Sequence, residues 1–568
     1  MELNPKYLAA LGLATGLALV VSAWVRQDRE LSESVDLHGA DFVTSQRCAH
    51  CHEEHYASWA GTYHRTMTQE ASDVAVLAPF NGEQVRYRGW AAVMSREGEA
   101  FVMRVSSPSG EDSVVEVVRS VGSHRYQQYL TREGDEYTRL PWAWHVEEAR
   151  WFHMNGAFLT PDPPDVAAET DYQRHVVRWN DNCIFCHNVA PNPNLGPLGF
   201  DSHVAELGVA CEACHGPGDE HSARNTSPLR RYTLHATDDP DPSIVSPSRL
   251  SADRAADVCG RCHGQRLTSN IADYLEDGDP FVPGDDLAHH SEPLWADTTL
   301  NGDAIFRERF WDDGSPRLTA YEYQGWLQAR CTIGGALTCT TCHGMHEGEA
   351  AGQLRPGDSE SFTSRDPGGE LGDRSCAECH SELSEAQSAA EHGGTGHAQV
   401  ACVDCHMPRI VYGVLDAHRT HRIEIPRPEA AAQRPHACGL CHLGEEDSFF
   451  GDDGGGHTAV GLRWLFGGDP IVRALAADAY GRSELNEDEG ALLAAMERDA
   501  YPAIRRLAWR SLRRRNAALA ADDFDPMATR EEREAAIASL GLTAVRPDQG
   551  LLRELEADAA DVNIEIGE

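Results

Sequence analysis

The sequence predicts a mainly α-helical protein with long irregular loops, a small inserted β-meander and a C-terminal tail of helical repeats. Three observations lead to this prediction. A short motif that favours a helical turn recurs eight times between Cys48 and His442. Alternating and β-branched residues fill part of the first interval between motifs, and an apolar pattern of helical spacing repeats near the C-terminus. A chain of 568 residues is too long for one core, so at least two folding units are expected.

The recurring motif is Cys-x-x-Cys-His. Two cysteines three positions apart lie on nearly one face of a helical turn, where both thiols can reach the two vinyl groups of one porphyrin. The next residue then offers an imidazole to the iron, so the motif is typical of covalent haem attachment. Sixteen of the 17 cysteines belong to such motifs, which argues against a disulfide framework and against zinc sites. The sequence therefore predicts eight haem c groups.

The residues that the motifs assign to haem fall into two sets. The cysteines expected to form thioethers are Cys48, Cys51, Cys183, Cys186, Cys211, Cys214, Cys259, Cys262, Cys339, Cys342, Cys376, Cys379, Cys402, Cys405, Cys438 and Cys441. The expected proximal iron ligands are His52, His187, His215, His263, His343, His380, His406 and His442.

The motif spacing predicts the organisation of residues 42–445, the expected octahaem cytochrome c domain. After a first interval of 135 residues, successive motifs begin 26 to 80 residues apart. The short intervals cannot hold independent cores, so the porphyrins should supply much of the buried apolar surface and the loops should wrap around them. Within the first interval, the stretches that begin at Glu83, Ala100 and Ser113 predict a β-rich insertion over residues 75–140.

The tail over residues 460–568 changes character. The segment from Asp469 to Ala476 recurs 32 residues later, with Pro470 and Leu475 in register with Pro502 and Leu507. Apolar residues at helical spacing behind a proline are typical of paired-helix repeats that stack on one another.

The N-terminal residues 1–30 are predicted to be a transmembrane anchor. The segment from Tyr7 to Val25 is 19 residues without a charge, and as a helix it would span about 28 Å, close to the hydrocarbon core of a bilayer. The small residues Val21, Ser22 and Ala23 leave a removable signal as the alternative. Haem c is attached outside the cytoplasmic membrane, so we expect an N-terminally anchored protein on the periplasmic or extracellular face.

The charge of the chain excludes one class of partner. Its formal net charge is −41, with 49 basic and 90 acidic side chains. A strongly negative field repels phosphate backbones, so nucleic-acid binding is not expected. An acidic docking face for a basic redox protein is compatible with the same charge.

Several motifs resemble a known family. The segment from Phe42 to His64, FVTSQRCAHCHEEHYASWAGTYH, resembles the cytochrome c554-like multihaem family with its doubled CxxCH motifs, a relative of the hydroxylamine oxidoreductase and multihaem nitrite reductase lineage. The segments VACEACHGPGDEH from Val209 and CVDCHMP from Cys402 resemble its octahaem members, which end in helical repeats of the HEAT or TPR type. The resemblance implies an extracytoplasmic electron carrier or oxidoreductase with closely stacked haems.

The second axial ligand of each iron decides what the protein does. A second histidine leaves only electron transfer, whereas an open position lets a small molecule bind and react. By the resemblance, the first candidates for distal ligands are His64, His175, His221, His346 and His421, followed by His124, His153, His392 and His397. His346 and His221 lie three and six residues after a proximal histidine, so each is expected to cap a neighbouring haem.

Electron transfer between a membrane oxidoreductase and other redox carriers is the leading functional hypothesis. One alternative is an oxidoreductase that acts on a small nitrogen or sulfur compound at one five-coordinate haem. Another is a haem subunit of a larger respiratory or photosynthetic complex, with the helical tail as its docking surface. The resembled nitrite reductases use a proximal lysine, and Lys6 is the only lysine here, so that active site is excluded. No catalytic residue is assigned.

Overall fold

A computed structural model gives the fold over most of the chain. It describes residues 15–16, 35–162, 169–237, 239–318, 320–333, 335, 337–346, 353–355, 374–383, 392, 397, 400–412, 416–427, 434–451, 457–482, 488–560, 562 and 564.

The strands build two larger antiparallel sheets and several small ones. The first sheet has the order β1-β6-β7-β8-β9 and the second has the order β2-β3-β4-β5. The strands are β1 Thr68–Glu70, β2 Glu83–Tyr87, β3 Trp90–Glu97, β4 Ala100–Ser106, β5 Asp112–Val117, β6 Arg119–Val121, β7 Tyr126–Glu133, β8 Glu136–His145, β9 Arg150–His153, β10 Asn188–Val189, β11 Leu195–Gly196, β12 Gly199–Phe200, β13 Glu206–Leu207, β14 Arg266–Thr268, β15 Ser291–Pro293, β16 Arg409–Tyr412 and β17 Asp416–Arg419.

Tight hairpins and a shared apolar core hold the two larger sheets together. Between β2 and β3, Arg88 and Gly89 both have positive φ angles of 45° and 89°, the backbone that a two-residue type I′ turn requires. Met94 and Met103 are opposite each other on β3 and β4. Both are buried and belong to the same core as Tyr129 of β7. The stretches that begin at Glu83, Ala100 and Ser113 thus lie in or at β2, β4 and β5.

The helices are short in the haem-motif region and longer near the C-terminus. They are α1 Ser45–Ala49, α2 Glu53–Ala60, α3 Glu169–Tyr172, α4 Cys211–His215, α5 Asp219–Arg224, α6 Pro228–Thr237, α7 Ala252–Gly260, α8 Ile271–Asp277, α9 Glu322–Gln328, α10 Arg330–Ile333, α11 Arg374–Cys379, α12 Cys402–His406, α13 Ala437–Cys441, α14 Val460–Gly467, α15 Pro470–Tyr480, α16 Asp488–Arg498, α17 Pro502–Arg515, α18 Arg530–Ser539 and α19 Gln549–Asp558.

The predicted fold class is wrong in calling the protein mainly α. Helix accounts for 38% and strand for 18% of the structure, and the sheets include one of five and one of four antiparallel strands. The physical reason is that the β-rich segment is larger than a small meander. It runs on through β8 and β9 to His153 and has an apolar core of its own.

The C-terminal helices pack into the largest core of the described residues. Pro470 and Pro502 begin α15 and α17, where their missing N–H groups cost nothing. Ala476 and Ile504 of these helices are 0% exposed, and their core continues to Phe152 of β9. The domain boundary proposed at residue 460 therefore lies inside a continuous apolar core.

Ion pairs reinforce the same contact between the tail and the rest of the molecule. Arg505 of α17 is fully buried and its Nη1 lies 2.9 Å from Asp162. Arg317 is 2.6 Å from Asp469, the residue that caps α15.

The predicted membrane anchor needs correction. In the part of the chain that the structure describes, no helix is long and apolar enough to cross a membrane. The uncharged run from Tyr7 to Val25, which alone suggested the anchor, lies outside the described residues except for Thr15 and Gly16. The structure therefore does not support the membrane as a partner through an N-terminal helix, nor the anchored location that followed from it.

Candidate haem sites

Each Cys-x-x-Cys-His motif forms a closed helical turn. In six motifs the backbone N–H of the histidine donates to the carbonyl oxygen of the first cysteine. The N–O distances range from 2.8 Å at His442 to 3.2 Å at His187. The other two motifs are the helices α4 and α12. This turn places both thiols and the imidazole along one side of the backbone. None of the 17 cysteines is in a disulfide, so all sixteen motif cysteines remain able to form thioethers.

Six motif histidines face a second imidazole at nearly one distance. The pairs, with their centroid separations, are His52 with His221 at 6.2 Å, His215 with His346 at 6.1 Å, His263 with His64 at 6.1 Å, His343 with His421 at 6.2 Å, His406 with His392 at 6.0 Å and His442 with His397 at 6.0 Å. His187 and His380 are the remaining motif histidines.

This separation fits an iron between the two rings. A metal–imidazole bond is about 2.0 Å and the ring centroid lies about 1.1 Å beyond the bonded nitrogen, so two imidazoles on opposite faces of one iron have centroids about 6.2 Å apart. A direct ring stack is much closer, as His153 on Tyr87 at 3.8 Å shows. Among the described residues no group of three or more His, Cys, Asp or Glu could hold a bare metal ion. Two axial imidazoles are what haem iron needs, because the porphyrin supplies the other four ligands.

Burial favours the neutral form of several of the paired imidazoles. It lowers the pKa of His64 to about 4 and that of His421 to about 3. The pKa values of His215 and His263 are also lowered, again chiefly by burial. A neutral imidazole has the free lone pair that iron ligation requires.

Hydrogen bonds orient two of the motif imidazoles. The Nδ1 of His215 lies 2.7 Å from the carbonyl oxygen of Val245, and the Nδ1 of His406 lies 2.7 Å from that of Glu424. A carbonyl only accepts, so Nδ1 carries the proton and Nε2 presents its lone pair.

The imidazole pairs link different motifs to each other. His221 follows the third motif and faces the histidine of the first, while His346 follows the fifth motif and faces the histidine of the third. His64 follows the first motif and faces His263 of the fourth. Each pair thus bridges two attachment segments, which fixes one haem site against the next.

Thiol contacts place neighbouring motifs side by side. Cys48 lies beside Cys211, Cys186 beside Cys262, and Cys259 beside Cys339. The first motif therefore adjoins the third, and the fourth adjoins both the second and the fifth. The helices of the seventh and eighth motifs, α12 and α13, also contact each other.

A buried carboxylate that sequence reasoning missed strengthens the contact between the first and third motifs. Glu212, an x residue of the third motif, is 3% exposed. Its carboxylate accepts N–H bonds from Val43, Thr44 and Gly218 at 2.8–3.1 Å. The chain entering the first motif is thereby held against the third. No sequence pattern marks this role, because the donors are backbone amides, two of them from the distant residues Val43 and Thr44.

Three predicted distal ligands are placed differently. His175 stacks on Phe158 at 3.8 Å, and its Nε2 is buried without a hydrogen-bond partner. His124 stacks on Tyr63 at 4.2 Å. His153 accepts the N–H of Asn155 at Nδ1 over 3.2 Å, which puts the proton of a neutral ring on Nε2.

Sequence reasoning also missed two histidines near the pairs. His55 lies 6.1 Å from His52 but only three residues along the same segment, and it stacks on His346 at 4.5 Å. The side chain of His418 is only 12% exposed, and its ring centroid lies 6.3 Å from that of His421.

Comparisons with known proteins give little further identification. No family model matches the chain, and no curated protein matches it. One solved structure, described as the outer cell wall cytochrome OcwA, is similar with 16% identity and a TM-score of 0.44, over 88% of this chain and 99% of that one. Membership of the cytochrome c554-like family therefore stays a prediction.

Proposed function

We propose that the protein is a multihaem cytochrome c that transfers electrons outside the cytoplasm through covalently attached haems. Six imidazole pairs at 6.0–6.2 Å carry the proposal, because they supply both axial ligands of one iron each. Haem iron supplies a one-electron couple when both axial positions are filled and substrate is excluded. The pairs thus favour electron transfer over catalysis at these six sites.

The polypeptide contributes attachment, orientation and proximity. The motif thiols would fix each porphyrin, and the paired imidazoles would close both faces of the iron. Cys259 lies beside Cys339 and Cys186 beside Cys262, so the sites of these motifs are neighbours. An electron can therefore pass from the second motif through the fourth to the fifth without leaving the protein.

Haem content and spin state test the proposal. We expect eight haems per chain by pyridine haemochrome assay, and low-spin ferric signals from the six paired sites by EPR. Four pairs have planes 16–23° apart, and two, His64 with His263 and His397 with His442, have planes 80–89° apart. Because the angle between axial rings sets the splitting of the iron d orbitals, rhombic and strongly anisotropic signals should occur in a ratio of four to two.

A ligand variant identifies the pairs one at a time. Replacing His421 by Ala should open one iron and convert one low-spin signal into a high-spin signal. His457 is the matched control, because its side chain is 98% exposed, and His457→Ala should leave every signal unchanged. Unchanged low-spin signals in the His421→Ala protein would contradict the assignment of this pair.

A further inference from the structure

Asp241 holds a fixed carboxylate against His221. Its Oδ2 lies 3.2 Å from His221 Nδ1 and accepts an N–H bond of 2.7 Å from Asn225. Its Oδ1 accepts bonds from Arg230 at 2.7 Å and from the backbone N–H and hydroxyl of Ser243 at 3.0 and 2.5 Å. The Asp241 side chain is 12% exposed. These bonds leave the carboxylate no freedom to turn away from the imidazole.

The proton between His221 and Asp241 has one consistent position. Under the proposed function, Nε2 of His221 bonds the iron opposite His52, so the neutral ring carries its proton on Nδ1. The amide nitrogen of Asn225 is also 3.2 Å from Nδ1, but it has only protons to give and cannot accept one. The Nδ1–H therefore donates to the Asp241 carboxylate.

This site differs from two others in the molecule. The Nδ1 atoms of His215 and His406 meet the neutral carbonyls of Val245 and Glu424. A carboxylate draws the Nδ1 proton more strongly than a carbonyl does, which makes the ring a stronger donor to the metal. Stronger donation stabilises ferric over ferrous iron.

We propose that Asp241 is a positioning residue that lowers the reduction potential of the haem held between His52 and His221. The inference rests on the proposed function, because it needs His221 as an axial ligand. It assigns the haem of the first motif a lower potential than an otherwise equal haem whose ligand meets a carbonyl. Arg230 offsets part of the effect, because its cation shares the same carboxylate at Oδ1.

Two variants of the haem-loaded protein should move this potential in opposite directions. In Asp241→Asn we expect the ferric-to-ferrous equilibrium of one haem to shift about tenfold towards ferrous iron, which is about 59 mV upward for a one-electron couple. In Arg230→Gln the carboxylate loses its cation, so the potential of the same haem should fall. Potentiometric titration followed by EPR measures both shifts, and the spin state should not change.

Two further variants provide a control and distinguish a failure of this inference from a failure of the proposed function. Glu446→Gln removes a carboxylate that bonds the exposed His457, and it should shift each potential less than Asp241→Asn does. His221→Ala identifies the affected haem, which should become high-spin. Unchanged low-spin signals in His221→Ala would overturn the proposed ligation and, with it, this inference. If His221→Ala opens one haem while Asp241→Asn leaves its potential unmoved, or Arg230→Gln raises it, only the role of Asp241 fails.

Discussion

The C-terminal helices and the segments around the first three motifs bury apolar surface by different means. Helices α15 to α17 share a core with many fully buried side chains, including Ile471, Leu492 and Leu512. Around the first three motifs the apolar clusters are small: one centres on Trp179 and Ile184, and another on Trp59 and Val189. The comparison teaches that the tail is built around its own side chains, whereas the segments around the first three motifs have little apolar core of their own, as the proposed haems would require.

Preventing haem attachment should produce the largest difference between the two regions. Without the porphyrins, the short turns of the first three motifs lose most of their apolar partners. Expressed without haem attachment, the chain should lose amide protection in α1, α2, α4 and α5 on the order of a hundredfold, while α15 to α17 stay protected. Hydrogen exchange with mass spectrometry checks this, and equal protection of both regions with and without haem would contradict it.

Removing the charge of Asp478 should strongly destabilise the tail. Its carboxylate is 2% exposed and lies 2.9–3.1 Å from Arg482, Arg510 and Arg514. Asp478→Asn leaves three guanidinium groups without this anion, at a cost of about 3–5 kcal/mol in the free energy of unfolding. Urea denaturation measures the loss. The control Asp73→Asn removes a carboxylate that is 74% exposed and should change stability by no more than about 0.5 kcal/mol.

The same carboxylate predicts an acid-sensitive tail. Burial alone raises the pKa of Asp478, but the three arginines outweigh it and hold the pKa well below its ordinary value. A depressed folded pKa stabilises the protein above the unfolded pKa of about 3.9, and the stabilisation is lost as the pH falls below that value. Between pH 5 and pH 3 the wild-type tail should therefore lose stability more steeply than Asp478→Asn. Parallel pH profiles of the two proteins would contradict this.

A cavity in the tail core should destabilise the tail and leave the haems intact. Ile504 of α17 is 0% exposed, so Ile504→Ala should cost about 2–5 kcal/mol. Val545→Ala, at a residue that is 80% exposed, is the matched control and should be nearly neutral. Low-spin EPR signals unchanged by Ile504→Ala at neutral pH would sharpen the contrast between the two regions. If the same loss of stability in Ile504→Ala also removes those signals, the two regions unfold together.

How far the sequence predicts the molecule also differs between the two regions. The repeat around Pro470 and Pro502 locates α15 and α17, because helix starts and apolar periodicity are local properties. The motifs likewise locate eight helical turns. What the sequence could not predict is which histidine faces which motif, since His64 and His263 are brought together only by the fold of the residues between them.

The errors arose where local patterns compete with longer-range packing. The β-rich segment was underestimated because the strands β7 to β9 contain tryptophans and polar residues rather than a clean alternation, and they are stabilised by packing on Met94 and Met103. His153 stays a candidate distal ligand by the resemblance alone. Its role as an acceptor for Asn155 depends on the conformation at the end of β9, which no residue pattern reports.

The smallest expected effect lies at the edge of the tail. Thr529 caps α18 through a capping box, in which its hydroxyl accepts the N–H of Glu532 while the Glu532 carboxylate accepts the N–H of Thr529 at 2.9 Å. Thr529→Ala should lower the free energy of unfolding by about 1 kcal/mol. Thr529→Ser should keep the wild-type stability because the hydroxyl remains. Only Arg533 and Ile537 of α18 are buried, so the loss should stay local. Hydrogen exchange should quicken about fivefold in α18 alone, and a matching change in α15 to α17 would show that α18 belongs to the same cooperative unit as the core.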